Sequence, residues 1–180
     1  MIDRYLDSII KSLESKNWYA ALFIALAIPD ICGDLEQPSE KSSRVRYVNW
    51  YNKYMLPQYS VTMPSLQEPH VFLSGDDCYA LRCSILHQGT GDIGKQKVST
   101  ILESVRFNEP SDEGGGMHRN QYKNVLQLRV DAFCNDIINA TRQWLSDVQG
   151  DASIQARIQL LLKIHPAFYF PGFLGPSERS

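Results

Sequence analysis

Two side chains with four residues between them carry the chemistry most easily read from this chain. They are Arg82 and His87, in Ser74-Gly-Asp-Asp-Cys-Tyr-Ala-Leu-Arg-Cys-Ser-Ile-Leu-His-Gln-Gly89. Arginine keeps its charge at every physiological pH, and histidine takes or gives a proton near neutrality. Facing a common space, the two can hold an anionic group and move a proton beside it. Everything about activity therefore turns on what the surrounding segment does with them.

That segment reads as one capped helix. Ser74 with Asp77 makes a capping-box-like start, and Asp76 and Asp77 suit the positive end of the helix dipole. Gly89 is a natural left-handed C-cap. On an ideal helix Arg82 and His87 point about 140° apart, so they do not stack as residues i and i+4 do. Two routes can unite them. The long Arg stem can lie along the apolar surface and turn its head into a shared cleft. Alternatively, the helix lies on a two-fold axis where both copies converge. The plainer reading makes Arg82 an ion-pair partner of Asp30 or Asp131, with His87 merely favouring the negative end of the helix.

Other elements must position this helix. Ile2, Leu6, Ile9 and Leu13 give an amphipathic first helix. Asn17 caps a second, from Trp18 to about Ile28, apolar nearly all round and so central, with Pro29 expected to end or kink it. Residues 33–43 read as a loop. A third helix, residues 44–55, carries Tyr47, Trp50, Tyr51 and Tyr54 on one stripe, flanked by Arg44, Arg46 and Lys53. The stripe reads as core in preference to a base-stacking surface. Residues 56–72, with Pro57, Pro64 and Pro69, read as irregular.

Residues 98–107 and 122–130 read as two strands of a long-looped β-hairpin inserted into the helical body over about 98–130. The link through Gly114–Gly116 is expected to be mobile. A helix over 131–148 places Val130, Phe133, Ile137, Thr141, Trp144 and Val148 inward. A last helix over 152–164 places Ile154, Ile158, Leu161 and Leu162 inward. The aromatic tail from Pro166 has no period and is expected to be covered. The whole, residues 1–180, reads as a single mainly α domain.

Composition narrows the class. Hydrophobic residues are 43% and charged residues 21%, as in ordinary globular proteins, and the net charge of −2 argues against a broadly basic nucleic-acid-coating surface. Cys32, Cys78, Cys83 and Cys134 show no metal spacing and read as reduced thiols of a cytoplasmic protein. No cofactor or metal is implied. The longest apolar run, 20–28, is too short to cross a bilayer. Weaker candidates are His118 and Arg119, beside the Gly run, which suit contact with RNA phosphates and a solvated loop equally well, and His70 and His165, which show no evident partner. Gly114–Gly116 is no phosphate loop, since no Lys-Ser/Thr follows at P-loop spacing.

Arg82-Cys-Ser-Ile-Leu-His87, late in a helix of a mainly α domain, resembles the Arg-x4–6-His motif of the HEPN superfamily (higher eukaryotes and prokaryotes nucleotide-binding). Tyr79-Ala-Leu-Arg-Cys-Ser-Ile-Leu-His-Gln-Gly89 resembles the ending common in bacterial HEPN-like proteins. The resemblance covers about 1–90 and 130–165. It implies a helical bundle that dimerises, with the motifs of two protomers facing one cleft. It also implies a metal-independent RNA endonuclease, often of a toxin–antitoxin or phage-defence system, with a cognate antitoxin or nucleotidyltransferase-like partner. Arg82 and His87 would be catalytic, with Asp76, Asp77, Cys83 and Ser84 supporting them. Silent members serve as binding modules. Many active members carry a polar residue after the Arg, and here that residue is Cys83.

Overall fold

In the computed structural model, which describes residues 1–62, 68–94, 102–111 and 115–165, the chain is mostly helical with two small sheets. The centre is α2 (Trp18–Glu36), capped by the Asn17 side chain, which accepts from the Ala20 amide. α1 (Ile2–Glu14) lays Ile2, Leu6 and Ile9 on it, as its periodicity predicts. α3 (Ser43–Tyr54), α4 (Gly75–Gln88), α5 (Val130–Asp147) and α6 (Ala152–Gln159) also pack on α2. One continuous apolar core links these helices with the larger sheet.

α2 does not stop at Pro29. A proline inside a helix removes one backbone hydrogen bond and costs about 3 kcal/mol. Past it, Cys32 and Leu35 continue the stripe of Ile28, and all three are buried. At about 1.5–3 kcal/mol for each large apolar side chain fully buried, their packing offsets the proline. Residues 33–36, expected in a loop, are therefore helical. At its full length α2 is long and apolar enough to span a bilayer by composition. Its buried residues, packed by five other helices, make it the core helix of the bundle.

The aromatic stripe of α3 is core. Tyr47, Trp50 and Tyr51 are buried, and Tyr54 nearly so. After a short 3-10 turn, Leu56–Gln58, the strands β1 (Ser60–Val61) and β2 (His70–Val71) pair antiparallel, giving order to part of a segment read as irregular.

The expected hairpin is corrected. β3 (Ser104–Asn108) pairs with β5 (Val125–Arg129) in parallel, Ser104 opposite Val125 and Asn108 opposite Arg129. The antiparallel arm of β5 is β4 (Asn120–Tyr122), joined to it through Lys123 and Asn124. Lys123 adopts φ 52°, the left-handed conformation of such a tight turn. The local turn takes one edge of β5. β3, returning through a connection longer than the dozen or so residues a parallel pair needs, takes the other. Sequence alternation marks both strands but carries no information on their relative direction. Val105, Leu126 and Leu128 point into the core. Residues 98–101 of the expected first strand lie outside the described residues.

α5 buries all six residues expected on its inner face. The final helix is shorter than expected. α6 ends at Gln159, and Leu162 is 78% exposed instead of packed inward. Ile154 and Ile158 are buried and Leu161, just past the helix, is partly buried against the core as expected, so of the four residues expected inward only Leu162 faces away. The aromatic tail lies outside the described residues.

Candidate functional site

α4 begins and ends where its capping residues place it. The Ser74 hydroxyl accepts from the Asp77 amide, and Gly89 closes the helix at φ 69°. One face carries buried Cys78, Leu81 and Ile85 into the core. The Cys78 thiol lies 3.4 Å from the Tyr47 hydroxyl and is pushed up to about 12 by burial, so it is a neutral packing group.

Arg82 and His87 come together. The Arg82 guanidinium nitrogen Nη1 lies 3.4 Å from His87 Nε2. Helical spacing alone would separate them, and the length of the arginine stem closes the gap. The other edge of the guanidinium is fixed, since Arg82 Nε donates to Asp30 Oδ2 at 2.6 Å. Of the two carboxylates weighed for that ion pair, Asp30 makes it. Asp131 is held instead by Arg129 at 2.8 Å. Asp30 stands on the first turn after Pro29, so the continuation of α2 is what supplies this partner.

The ion pair lies at the boundary between core and solvent. Side-chain exposure is 24% for Arg82 and 21% for Asp30, and His87 is exposed. Burial raises the Asp30 carboxyl above its ordinary range, and the charge of Arg82 takes back part of that rise. Burial also opposes the charge on Arg82, but Asp30 and a contact from Arg82 Nη1 to Cys83 Sγ at 3.9 Å hold the guanidinium firmly protonated. The result is a cation anchored from behind, with its outer edge beside an exposed imidazole.

The expected supporting residues divide. Cys83 touches Arg82. Ser84 is buried and donates to the Asp92 carbonyl at 2.7 Å, tying the helix to the segment after it. Asp76 pairs with Arg44 at 2.7 Å, and Asp77 accepts from the Ser74 hydroxyl at 2.8 Å, so both anchor the start of α4. That start is about 20 Å from His87 at the helical rise of 1.5 Å per residue.

A second polar cluster was missed. His118 and Arg119, for which the sequence offered a solvated loop or contact with RNA phosphates, converge with Tyr59 on Asp136 of α5. Arg119 Nη2 and the Tyr59 hydroxyl donate to Asp136 Oδ2 at 2.9 and 3.0 Å, and His118 Nε2 lies 3.4 Å from the same oxygen. His118 Nδ1 accepts from the Arg129 amide, which leaves Nε2 as the protonated nitrogen. Burial works against the Asp136 charge, but hydrogen bonds from His118, Arg119 and Tyr59, with the charge of Arg119, hold its carboxyl below the ordinary range. His118 Nδ1 is committed to the Arg129 amide while Nε2 faces the Asp136 carboxylate, so the cluster ties the sheet to α5. Its one trace in the sequence is a carboxylate three residues after Phe133, on the flank of the buried stripe. Among the described residues no three His, Cys, Asp or Glu side chains converge as a metal ion would require.

Comparison with protein-family models finds no match, and comparisons with curated proteins and with solved structures find none either. What the site can do therefore follows from its own geometry: grip an anion with one edge of an anchored guanidinium, next to a group able to accept or donate a proton.

Proposed function

We propose that this chain is a HEPN-like, metal-independent RNA endonuclease of the cytoplasm, acting as a homodimer. The observation that carries the reading is the 3.4 Å approach of Arg82 Nη1 to His87 Nε2 on a capped helix of a helical body. RNA brings its own nucleophile, the ribose 2′-hydroxyl, which DNA lacks. His87 takes the 2′-hydroxyl proton as the oxygen attacks phosphorus, the bond from phosphorus to the 5′-oxygen breaks, and that oxygen receives a proton. The products are a 2′,3′-cyclic phosphate and a 5′-hydroxyl. Arg82 binds the phosphate oxygens and stabilises the charge that builds on them. Two protomers sharing one cleft would let one His87 serve as base and the other as acid.

A dimer draws support from α2. Tyr19 and Phe23 fall on the same helical stripe as Asp30 and are 78% and 41% exposed. Aromatic surface on the same face of α2 as a polar site is the composition of an interface centre. A cognate antitoxin or nucleotidyltransferase-like partner would take the same surface.

One observation favours a second reading, a silent HEPN-like binding module. Arg82 Nε is already engaged by Asp30, and the residue after Arg82 is Cys83, not a polar group. The two readings part in one assay. Purified protein incubated with RNA in EDTA is expected to release fragments ending in cyclic phosphate, and His87→Ala and Arg82→Ala are each expected to reduce this at least about 100-fold. Cleavage retained by folded His87→Ala, or absent from the wild type, sinks the nuclease reading.

A further inference from the structure

A second concave region lies at the opposite end of α4. His70 and Phe72, just before the helix, and Arg119, Asn120, Gln121 and Lys123, along β4 and its turn, border an open cavity of about 400 Å³. We propose that this cavity holds one nucleotide of a single-stranded RNA, its base against the His70–Phe72 rings and its phosphate against Lys123 and Arg119. The proposal extends the reading of RNA as substrate.

The chemistry of the walls argues for this ligand. The described lining contains two cations, an imidazole, two amides and a phenyl ring, with no carboxylate. Such a set repels cationic groups and favours an anion that also carries a flat apolar face. His70 and Phe72 meet edge to face at 4.6 Å between centroids, so one ring supports the other. Bases stack on such platforms whatever their identity. Lys123 is exposed and sits 5.6 Å from the centre of the Tyr122 ring, leaving its ammonium open to a phosphate.

Two polar atoms at the cavity are buried without a partner, Arg119 Nε and Gln121 Oε1. Buried polar atoms left unmatched are uncommon. Here they are one donor and one acceptor. Arg119 cannot turn away, because Asp136 holds its Nη2 and its guanidinium rests 4.9 Å above the Tyr59 ring. Gln121 is steadied by donating to the Lys123 carbonyl at 2.9 Å. Both atoms are covered from solvent, so they mark an under-satisfied polar backing behind the lining and not contacts that a ligand makes directly. Two cavity residues, His70 and Phe72, lead into the start of α4 and His87 stands at its end, so one extended strand would have to cover both.

The test is binding of a fluorescent RNA of about ten nucleotides, a length within the range of single-strand sites, measured over a salt series with His87→Ala protein so that no substrate is consumed. Lys123→Asn removes the charge while keeping a residue that tolerates φ 52°. It is expected to weaken binding about fivefold and lower the logarithmic salt slope by about one. His70→Ala is expected to weaken binding about fivefold or more through lost stacking, with little change in slope. RNA bound with unchanged affinity and slope by both variants, while each melts as His87→Ala does, overturns the subsite and leaves the nuclease reading intact. Absence of RNA binding by the parent protein overturns it as well. Binding that responds to both substitutions, in a protein whose wild type cuts no RNA, upholds the subsite and removes only the nuclease.

Discussion

The two members of the candidate pair differ in what removal should cost. His87 is exposed at the end of its helix, so His87→Ala should change unfolding free energy by no more than about 0.5 kcal/mol. Arg82→Ala strips Asp30 of its partner at a largely covered position and should cost about 1–3 kcal/mol in a urea melt. Equal costs would mean the ion pair contributes nothing to the fold. Asp136 allows a pH test. Its folded carboxyl titrates below the ordinary value of 3.8, so its stabilisation is complete above that value and lost as acid carries the pH down through the folded one. Asp136→Asn should be less stable at neutral pH and lose less on going to pH 3, as read by melts at both. The sequence made Arg82, His87 and the choice of Asp30 or Asp131 visible. It could not show the contact itself, because a helical wheel records where a side chain starts and not how far a guanidinium reaches. Asp136 stayed hidden because its partners come from a turn and a loop remote in sequence.

Among the helices, legibility followed local signals. Asn17, Ser74 and Gly89 marked their caps correctly because each acts on its own few neighbours. Pro29 misled because its effect is local and the burial that overrides it is not. The extension it permits brings α2 against α3 at Gly33, where an added Cβ would stand 2.7 Å from the Arg46 carbonyl oxygen. Gly33→Ala should therefore force the helices apart and cost about 1–3 kcal/mol, despite alanine's better helix propensity. A melt showing stabilisation would mean that the contact relaxes freely. Alternation marked β3 and β5 but not β1, β2 or β4. The pairing of β3 with β5 was not legible, since direction depends on a connection whose composition says nothing about where it lands.

At the scale of the whole molecule, the exposed Tyr19 and Phe23, on the stripe of α2 that also carries Asp30, set the expectation of a dimer. Light scattering of the wild type should give twice the chain mass, and a Tyr19→Glu, Phe23→Glu double variant should give the chain mass with an unchanged circular dichroism spectrum. Cleavage should fall with it if both protomers serve one cleft. A wild-type monomer would leave each His87 without a counterpart and require acid and base from a single chain. The mainly α class and the inward face of α5 were plain from periodicity. The exposed aromatic pair of α2 shows itself only once the buried apolar residues have been told from the exposed ones.

The parallel pairing of β3 with β5 also sets an order of events during synthesis. β3 leaves the ribosome before β5 does, and β4 emerges between them. Its future ladder stays unpaired for that interval, open to any other extended segment nearby. The nascent chain thus passes through a stage in which a chaperone, or a neighbouring polypeptide, can claim the place β5 later takes.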